Sequence, residues 1–420
     1  MTQRYDTYKD SGVQWLGEIP GHWKTLLNGI LFIEDVRKPE TDDIPLSLSQ
    51  VDGVIPTDEM KESSLKTSSY DNWKRVIVND LVLNRFKAHL GVMFASNYVG
   101  MVSFHYGVFK AKMDLVPKYY EYLYHTNIYR FIYADASKGM TVGLQNLSNT
   151  SFYNVRAIYP PKDEQHSIVS FLDAKCGKID EWVNKKQKEV EHLQELKQRV
   201  IADAVTRGLN PNVKMKATNI PWLKEIPEHW EVLRNKSFLR LTDEKVGNRN
   251  DVTLLSLTKQ GVIIRDLSEG KGKFPKDFET YLVVRPNNLV FCLFDIDETP
   301  RTVGLVRNYG MLTGAYTNFE VNEEIVLPEY AYCYYLQIDD VKGLRPYYTG
   351  LRKVVKTNTF LQLRIPVPPL SEQKQIVSYL DAKCAKIDKL ITNITKEIER
   401  IKEYKQRLIS DVVTGQIKVC

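Results

Sequence analysis

Cysteine is scarce. There are five in 420 residues, none in a CxxC pair, which excludes a disulfide scaffold and a zinc ribbon and points to a reducing interior. Long apolar runs are also missing: a run such as residues 289–294 is far short of a membrane span. The first residues are polar and carry no apolar leader segment. The expectation is a cytoplasmic protein with no membrane attachment. Nor is there a large excess of one charge. Lys and Arg number 58 against 52 Asp and Glu, a net +6, which permits a nucleic-acid partner without demanding one. What is present is ordinary globular material, 43% hydrophobic and 26% charged, in a chain long enough for two or three domains.

Catalytic signatures are absent as well. No GxxxxGK[ST] phosphate loop occurs, since 270–273 (GKGK) lacks both the leading spacing and the Ser/Thr. No GxGxxG follows a strand, and neither Pro-Pro pair lies within the Asn/Asp-Pro-Pro-aromatic tetrapeptide of an amino-methyltransferase. The seven histidines make no HExxH or C₂H₂ spacing. A nuclease-like set can be forced from Asp180, Glu195 and Lys197, or from Asp388, Glu403 and Lys405. On one helix Asp180 and Glu195 would stand about 22 Å apart, whereas two-metal carboxylates must converge. The set is a chance match.

Self-comparison is more productive. Residues 164–206 align with 372–414 at a constant offset of 208, and 24 of the 43 positions are identical. Looser echoes precede them. WLGEIPGHW at 15–23 answers WLKEIPEHW at 222–230, NDLV at 79–82 answers NNLV at 287–290, and a Pro-Pro pair closes each half at 160–161 and 368–369. Between these anchors the halves differ almost everywhere. Each half is therefore a variable block of about 150 residues followed by a repeated tail.

The tails read as helices with a coiled-coil seam. Steps of three and four run through Leu172, Cys176, Ile179, Val183, Lys186, Val190, Leu193, Lys197, Val200 and Ala204. The second copy runs through Leu380, Cys384, Ile387, Ile391, Ile394, Ile398, Ile401, Lys405, Leu408 and Val412. Asp163 and Ser371 are the expected N-caps, and Gly208 and Gly415 the stops. Charges nearly balance, seven basic to eight acidic in the first tail and nine to seven in the second. That is a solvated face and not a phosphate-binding rod. The seam from Leu172 to Ala204 would span roughly 50 Å, more than one turn of DNA at about 34–36 Å. The linker 207–221 is too short to run back along such a rod, so antiparallel pairing with one block at each end is expected.

Within the blocks, strands are expected at 75–78, 80–86, 101–110 and 155–159, and at 282–285, 289–294, 303–307 and 361–366. Helices are expected at 117–134 and 328–337. The tyrosines of 119–124 could be a base-stacking platform, but a helix packing its rings on a sheet is the favoured reading. His22 and His229 read as turn and cap residues, and Cys176 and Cys384 as small apolar seam residues.

The two WLxEIPxHW openings, the PPxxEQ closures and the two repeated heptad helices resemble the specificity subunits of type I restriction–modification enzymes, over essentially the whole chain. The resemblance implies an α+β fold in which two α/β target-recognition domains are separated by two long antiparallel coiled-coil helices, with an internal pseudo-two-fold repeat. The divisions are 1–161 and 211–369 for the recognition domains, and 162–210 and 370–420 for the spacers. It further implies a non-catalytic, cytoplasmic subunit of a phage-defence complex that reads a bipartite site in double-stranded DNA. Its partners would be two methyltransferase subunits and restriction motor-nuclease subunits. S-adenosylmethionine, and ATP with Mg for restriction, belong to those partners, and this chain has no cofactor of its own. A coiled-coil scaffold that holds protein partners through two variable domains is the competing reading. Expected DNA contacts, from polar and basic residues that interrupt apolar strands, are Gln50, Arg85, Lys87, Lys138, Gln145 and Asn146 in the first block. In the second they are Lys259, Arg301, Arg352, Lys353 and Lys356.

Overall fold

The computed structural model describes residues 3–60, 70–137, 146–249, 252–265 and 278–419. Two helices dominate, Lys162–Arg207 and Leu370–Val413, 46 and 44 residues long. By contacts the chain separates into two compact units. One comprises Met1–Gln187 with Lys396–Cys420, the other Lys188–Thr395. The division passes through both long helices, so each unit holds one variable block and a part of each helix. The fold is α+β.

The blocks repeat one strand plan in unlike sequences. In the first unit an antiparallel sheet has the order Phe32–Glu34, Tyr106–Ala111, Leu81–Asn84, Met93–Ala95. In the second the order is Leu239–Thr242, Thr317–Val321, Leu289–Phe291, Val303–Leu305. Around each sheet stand a hairpin (Leu46–Ser49 with Gly53–Pro56; Leu255–Thr258 with Gly261–Ile264) and three further pairs. The repeated Asn-Asp and Asn-Asn anchors explain themselves. Asn79 and Asn287 both sit at φ 70°, a left-handed turn that asparagine tolerates. The next side chain closes that turn: Asp80 Oδ2 accepts from Ile77 N–H at 2.9 Å and Asn288 Oδ1 from Arg285 N–H at 3.0 Å.

Several expected boundaries shift. The strand expected at 101–110 is two strands, Gly100–Val102 and Tyr106–Ala111, parted by a turn in which Tyr106 N–H bonds Ser103 C=O. The helix expected at 117–134 breaks between Pro117–Tyr124 and Asn127–Ala136, where Thr126 Oγ1 bonds Leu123 C=O and competes with the helical ladder. The segment expected as a strand from 361 is the end of a short helix, Thr357–Gln362, and the strand is Arg364–Val367. Asp163 and Ser371 are not caps. The helices begin one residue earlier, and Pro161 and Pro369 supply the first carbonyls, to the N–H groups of Gln165 and Gln373. Tyr119, Tyr120 and Tyr124 are fully buried, so the 119–124 run is core and no stacking platform.

The seam is as the heptads require: every position named above is buried or half-buried. Within each unit the two helix segments run in opposite directions. In the first, Lys405 Nζ bonds both oxygens of Asp180 at 2.7 Å, and near the segment ends the Trp23 indole joins Glu164 to the region of Gly415. In the second, Lys197 Nζ bonds both oxygens of Asp388 at 2.7 Å, and Trp230 joins Glu372 to Gly208. Asp180 and Lys197 each lie 208 residues before Asp388 and Lys405, so the two bridges are one interaction written twice. Gly208 and Gly415 end the helices at φ +74° and +76°. A Cβ on Gly415 would meet Pro20 and Trp23 at 2.4 and 2.9 Å.

Candidate nucleic-acid interface

The repeated residues build the frame. At the start of each long helix a glutamate receives the His-Trp turn. His22 Nε2 lies 2.5 Å from Glu164 Oε1, Trp23 Nε1 donates to Oε2 at 2.9 Å, and the Tyr5 hydroxyl donates at 3.0 Å. Burial raises the Glu164 carboxyl pKa, but these donors outweigh it and the net shift is downward. In the other unit Glu372 Oε2 takes His229 Nε2 at 2.7 Å and Trp230 Nε1 at 3.1 Å. The neighbouring glutamine locks the chain that leads into the helix. Gln165 accepts from Val116 N–H and donates to Pro160 C=O, and Gln373 accepts from Leu327 N–H and donates to Pro368 C=O. The Glu-Gln pair was visible as a repeat, yet residue types alone did not reveal that it clamps each helix to its block.

Upon this frame the variable loops carry the expected contacts. Gln50 is exposed in the turn between Leu46–Ser49 and Gly53–Pro56. Lys259 is exposed in the turn between Leu255–Thr258 and Gly261–Ile264. The same hairpin thus presents Gln in one unit and Lys in the other. Lys87 is exposed, on a loop whose N–H groups at Phe86 and Lys87 are held by Asn84 Oδ1. Arg85 is half-buried and donates to Glu34 Oε1 at 2.7 Å. Asn146 is exposed next to Leu147, whose N–H bonds Arg85 C=O at 3.0 Å. Lys138 and Gln145 lie outside the described residues.

In the second unit Arg301 lies 3.5 and 3.4 Å from Asp339 and Asp340. Arg352 donates to Asp295 Oδ2 at 2.8 Å and lies 5.0 Å from the centre of the Phe294 ring. Lys353 pairs with Asp297 and Glu298 at 3.2 and 2.7 Å, and Lys356 is exposed before the helix Thr357–Gln362. Arg345 donates to Asp297, its hydrogen bond being the leading cause of that carboxyl's lowered pKa. The backbone bond from Val355 N–H to Leu293 C=O, 2.9 Å, repeats the Leu147–Arg85 bond at the same offset of 208. Each unit therefore brings two predicted regions together, the loop after its central strand and the segment before its last short helix.

Glu34 was missed. It collects Lys74 and Arg85 through Oε1 and Asn149 through Oε2. Burial raises its pKa, but these partners bring it down overall. Nothing in the sequence marks it, because the other block places no carboxylate at that strand's end and closes with Thr242. Among the described residues no group of three or more His, Cys, Asp or Glu could hold a metal ion, and no helix is long and apolar enough to cross a membrane.

The family model described as "Type I restriction modification DNA specificity domain" matches residues 41–192 and 305–400, more than half of the chain. The chain belongs to that family. Two curated relatives come from Methanocaldococcus jannaschii. The type I restriction enzyme MjaVIII specificity subunit is 24% identical over 292 residues, covering 66% of this chain. The chain spans 65% of that relative's length. The putative type I restriction enzyme MjaX specificity subunit is 25% identical over 328 residues, 73% of this chain and 70% of the relative. The fold matches a chain from a structure described as the basis of complex assembly and conformational transition of the type I R-M system. The TM-score is 0.69 at 14% identity, covering 94% of this chain and 98% of that one. Both curated relatives are named as specificity subunits.

Proposed function

We propose that this chain is the DNA-reading subunit of a type I restriction–modification complex. Each variable block reads one half of a bipartite site in double-stranded DNA, and the paired helices set the unspecified gap. Two methyltransferase subunits and the restriction motor-nuclease subunits assemble on it. Methylation and cleavage belong to those partners, with S-adenosylmethionine, ATP and Mg bound there. The residues committed to DNA are Gln50, Arg85, Lys87, Lys138, Gln145, Asn146, Lys259, Arg301, Arg352, Lys353 and Lys356, and the divisions are 1–161, 162–210, 211–369 and 370–420.

The observation that carries this reading is one frame holding two unlike sets of loops. Strand order, turn closures, the helix clamps and the reciprocal Asp–Lys bridges repeat, while the residues at the loop positions do not. A common frame with different side chains is what two different half-sites need, since base edges are distinguished by the donors and acceptors that face them. The test is footprinting of the chain, together with its methyltransferase subunits, on a duplex carrying its modified sequence. Two short protected blocks separated by an unprotected gap are expected. One contiguous block, or no protection with random-sequence duplex bound equally, would favour the protein scaffold instead.

A further inference from the structure

In the second unit the turn that carries Arg352 and Lys353 also presents a residue not among the DNA contacts expected from sequence, Leu351. Residues 349–354 form a tight turn closed by reciprocal backbone bonds between Thr349 and Val354, 2.9 and 3.0 Å, by Lys353 N–H to Gly350 C=O at 3.2 Å, and by the Thr349 hydroxyl. Two more backbone bonds fasten it to the loop after the central strand: Asp295 N–H to Arg352 C=O at 2.8 Å and Val355 N–H to Leu293 C=O. Lys353 sits at φ 46°, a left-handed conformation that a non-glycine residue adopts only where its surroundings impose it. At the apex Leu351 is 103% exposed, a side chain touching no other part of the protein.

A lone exposed leucine is unremarkable on any surface. This one stands on a turn braced at both ends and strained at one residue, between cations. Arg352 is fixed over Phe294 by Asp295, which takes its Nε and Nη2, while its Nη1 has no hydrogen-bond partner among the described residues. Lys353 is held by Asp297 and Glu298, and Lys356 is exposed nearby. A rigid apolar tip flanked by oriented cations fits a duplex groove, where phosphates meet the charges and an apolar side chain enters at a base step.

We propose that Leu351 is a wedge that enters the DNA at the half-site read by the second block and partly unstacks one base step, with Arg352 and Lys353 on the flanking phosphates. The inference rests on the DNA-reading function proposed above. It makes Leu351 a specificity residue, because the cost of opening a step depends on its sequence.

The test uses the full chain with its methyltransferase subunits, and duplexes carrying the site found by mapping modified adenines in a host that produces the complex. 2-Aminopurine is placed at successive steps of each half-site. Leu351→Ala is expected to weaken binding of the cognate duplex about tenfold, the loss of most of one buried apolar side chain. It should also abolish the fluorescence rise at one step of the second half-site. The first half-site's signal, binding of random-sequence duplex and recovery of methyltransferase subunits should not change, and Leu351→Met should retain most of the effect. Since Leu351 touches nothing, the variant's fold is not at issue. If Leu351→Ala matches the parent in affinity and fluorescence while the parent protects both half-sites, the wedge is wrong and the DNA-reading function stands. Loss of methyltransferase subunits from the variant would also overturn it, by making the tip a protein contact. A parent complex that protects no DNA would remove both readings.

Discussion

Removing the Glu164 carboxylate tests how the frame is held. In Glu164→Ala the Trp23 indole N–H, on a fully buried ring, loses its acceptor. A stranded buried donor costs about 1–3 kcal/mol. Loss of a negative charge in the first turn of the helix Lys162–Arg207 adds about 0.3–1 kcal/mol. His22 contributes little because its ring is half exposed. The expected loss is about 1–4 kcal/mol, and Glu164→Gln, which keeps an acceptor, should lose about 1 or less. The pH dependence follows from the direction of the shift. The folded carboxyl pKa lies below its ordinary 4.5, so its stabilisation is complete above that value and disappears as pH falls through the lower folded value. Urea unfolding followed by tryptophan fluorescence from pH 7 downward reads both effects. The gap between parent and Glu164→Ala should be widest near neutrality and close in acid. A loss below about 0.5 kcal/mol at pH 7, or a gap that does not narrow on acidification, would refute the clamp.

Other outcomes follow from the same contacts. Asp180→Lys or Lys405→Asp alone should each destabilise by about 0.2–1 kcal/mol, as expected of an exposed ion pair. The double exchange should recover most of it in a double-mutant cycle, and additive losses would deny the pairing. Burial pushes the Cys333 thiol up to about 12, so at pH 8 an alkylating reagent should leave it unmodified in the folded protein and label it in denaturant, as read by peptide mass. Seven residues inserted at equivalent seam positions of both long helices add about 10 Å, and the gap between half-sites found by methylation mapping should lengthen by about three base pairs.

What could be read from the sequence was whatever it states twice. The heptad seam, the glycine stops and the helix pairing came through because a buried stripe imposes a period, and a second copy shows which departures from that period are accidental. The boundaries that moved were decided by contacts invisible to periodicity. Thr126 turns its hydroxyl back on Leu123 and ends a helix whose pattern continues. Pro161 and Pro369 act as first acceptors although neighbouring residues are better caps by type. The tyrosine run offered two readings with one pattern, and the choice rested on which face met the sheet, a tertiary fact.

The loops show the opposite situation, and the reason is physical. A core residue is constrained by its neighbours in the same chain, so pattern and repeat expose it. A residue that meets a base is constrained by the base, which is absent from the sequence. Arg85 and Arg301 look alike in sequence, yet both are tied to carboxylates, Glu34 and the Asp339–Asp340 pair, that lie 51 and about 38 residues away. Such cations can serve DNA only if phosphate or guanine competes with a partner already in place. Gln50, Lys87, Lys259 and Lys356 are exposed and would engage without that exchange. The two groups should therefore differ under substitution: alanine at an exposed lysine weakens binding across all sequences and lowers the salt dependence by about one ion. Alanine at Arg85 leaves Glu34 held by Lys74 and Asn149 but with one cation fewer, and the less neutralised carboxylate adds repulsion to the lost contact. Its loss should exceed that of Lys87→Ala in the same binding titration, and an equal loss would show that the Glu34 pairing has no bearing on recognition.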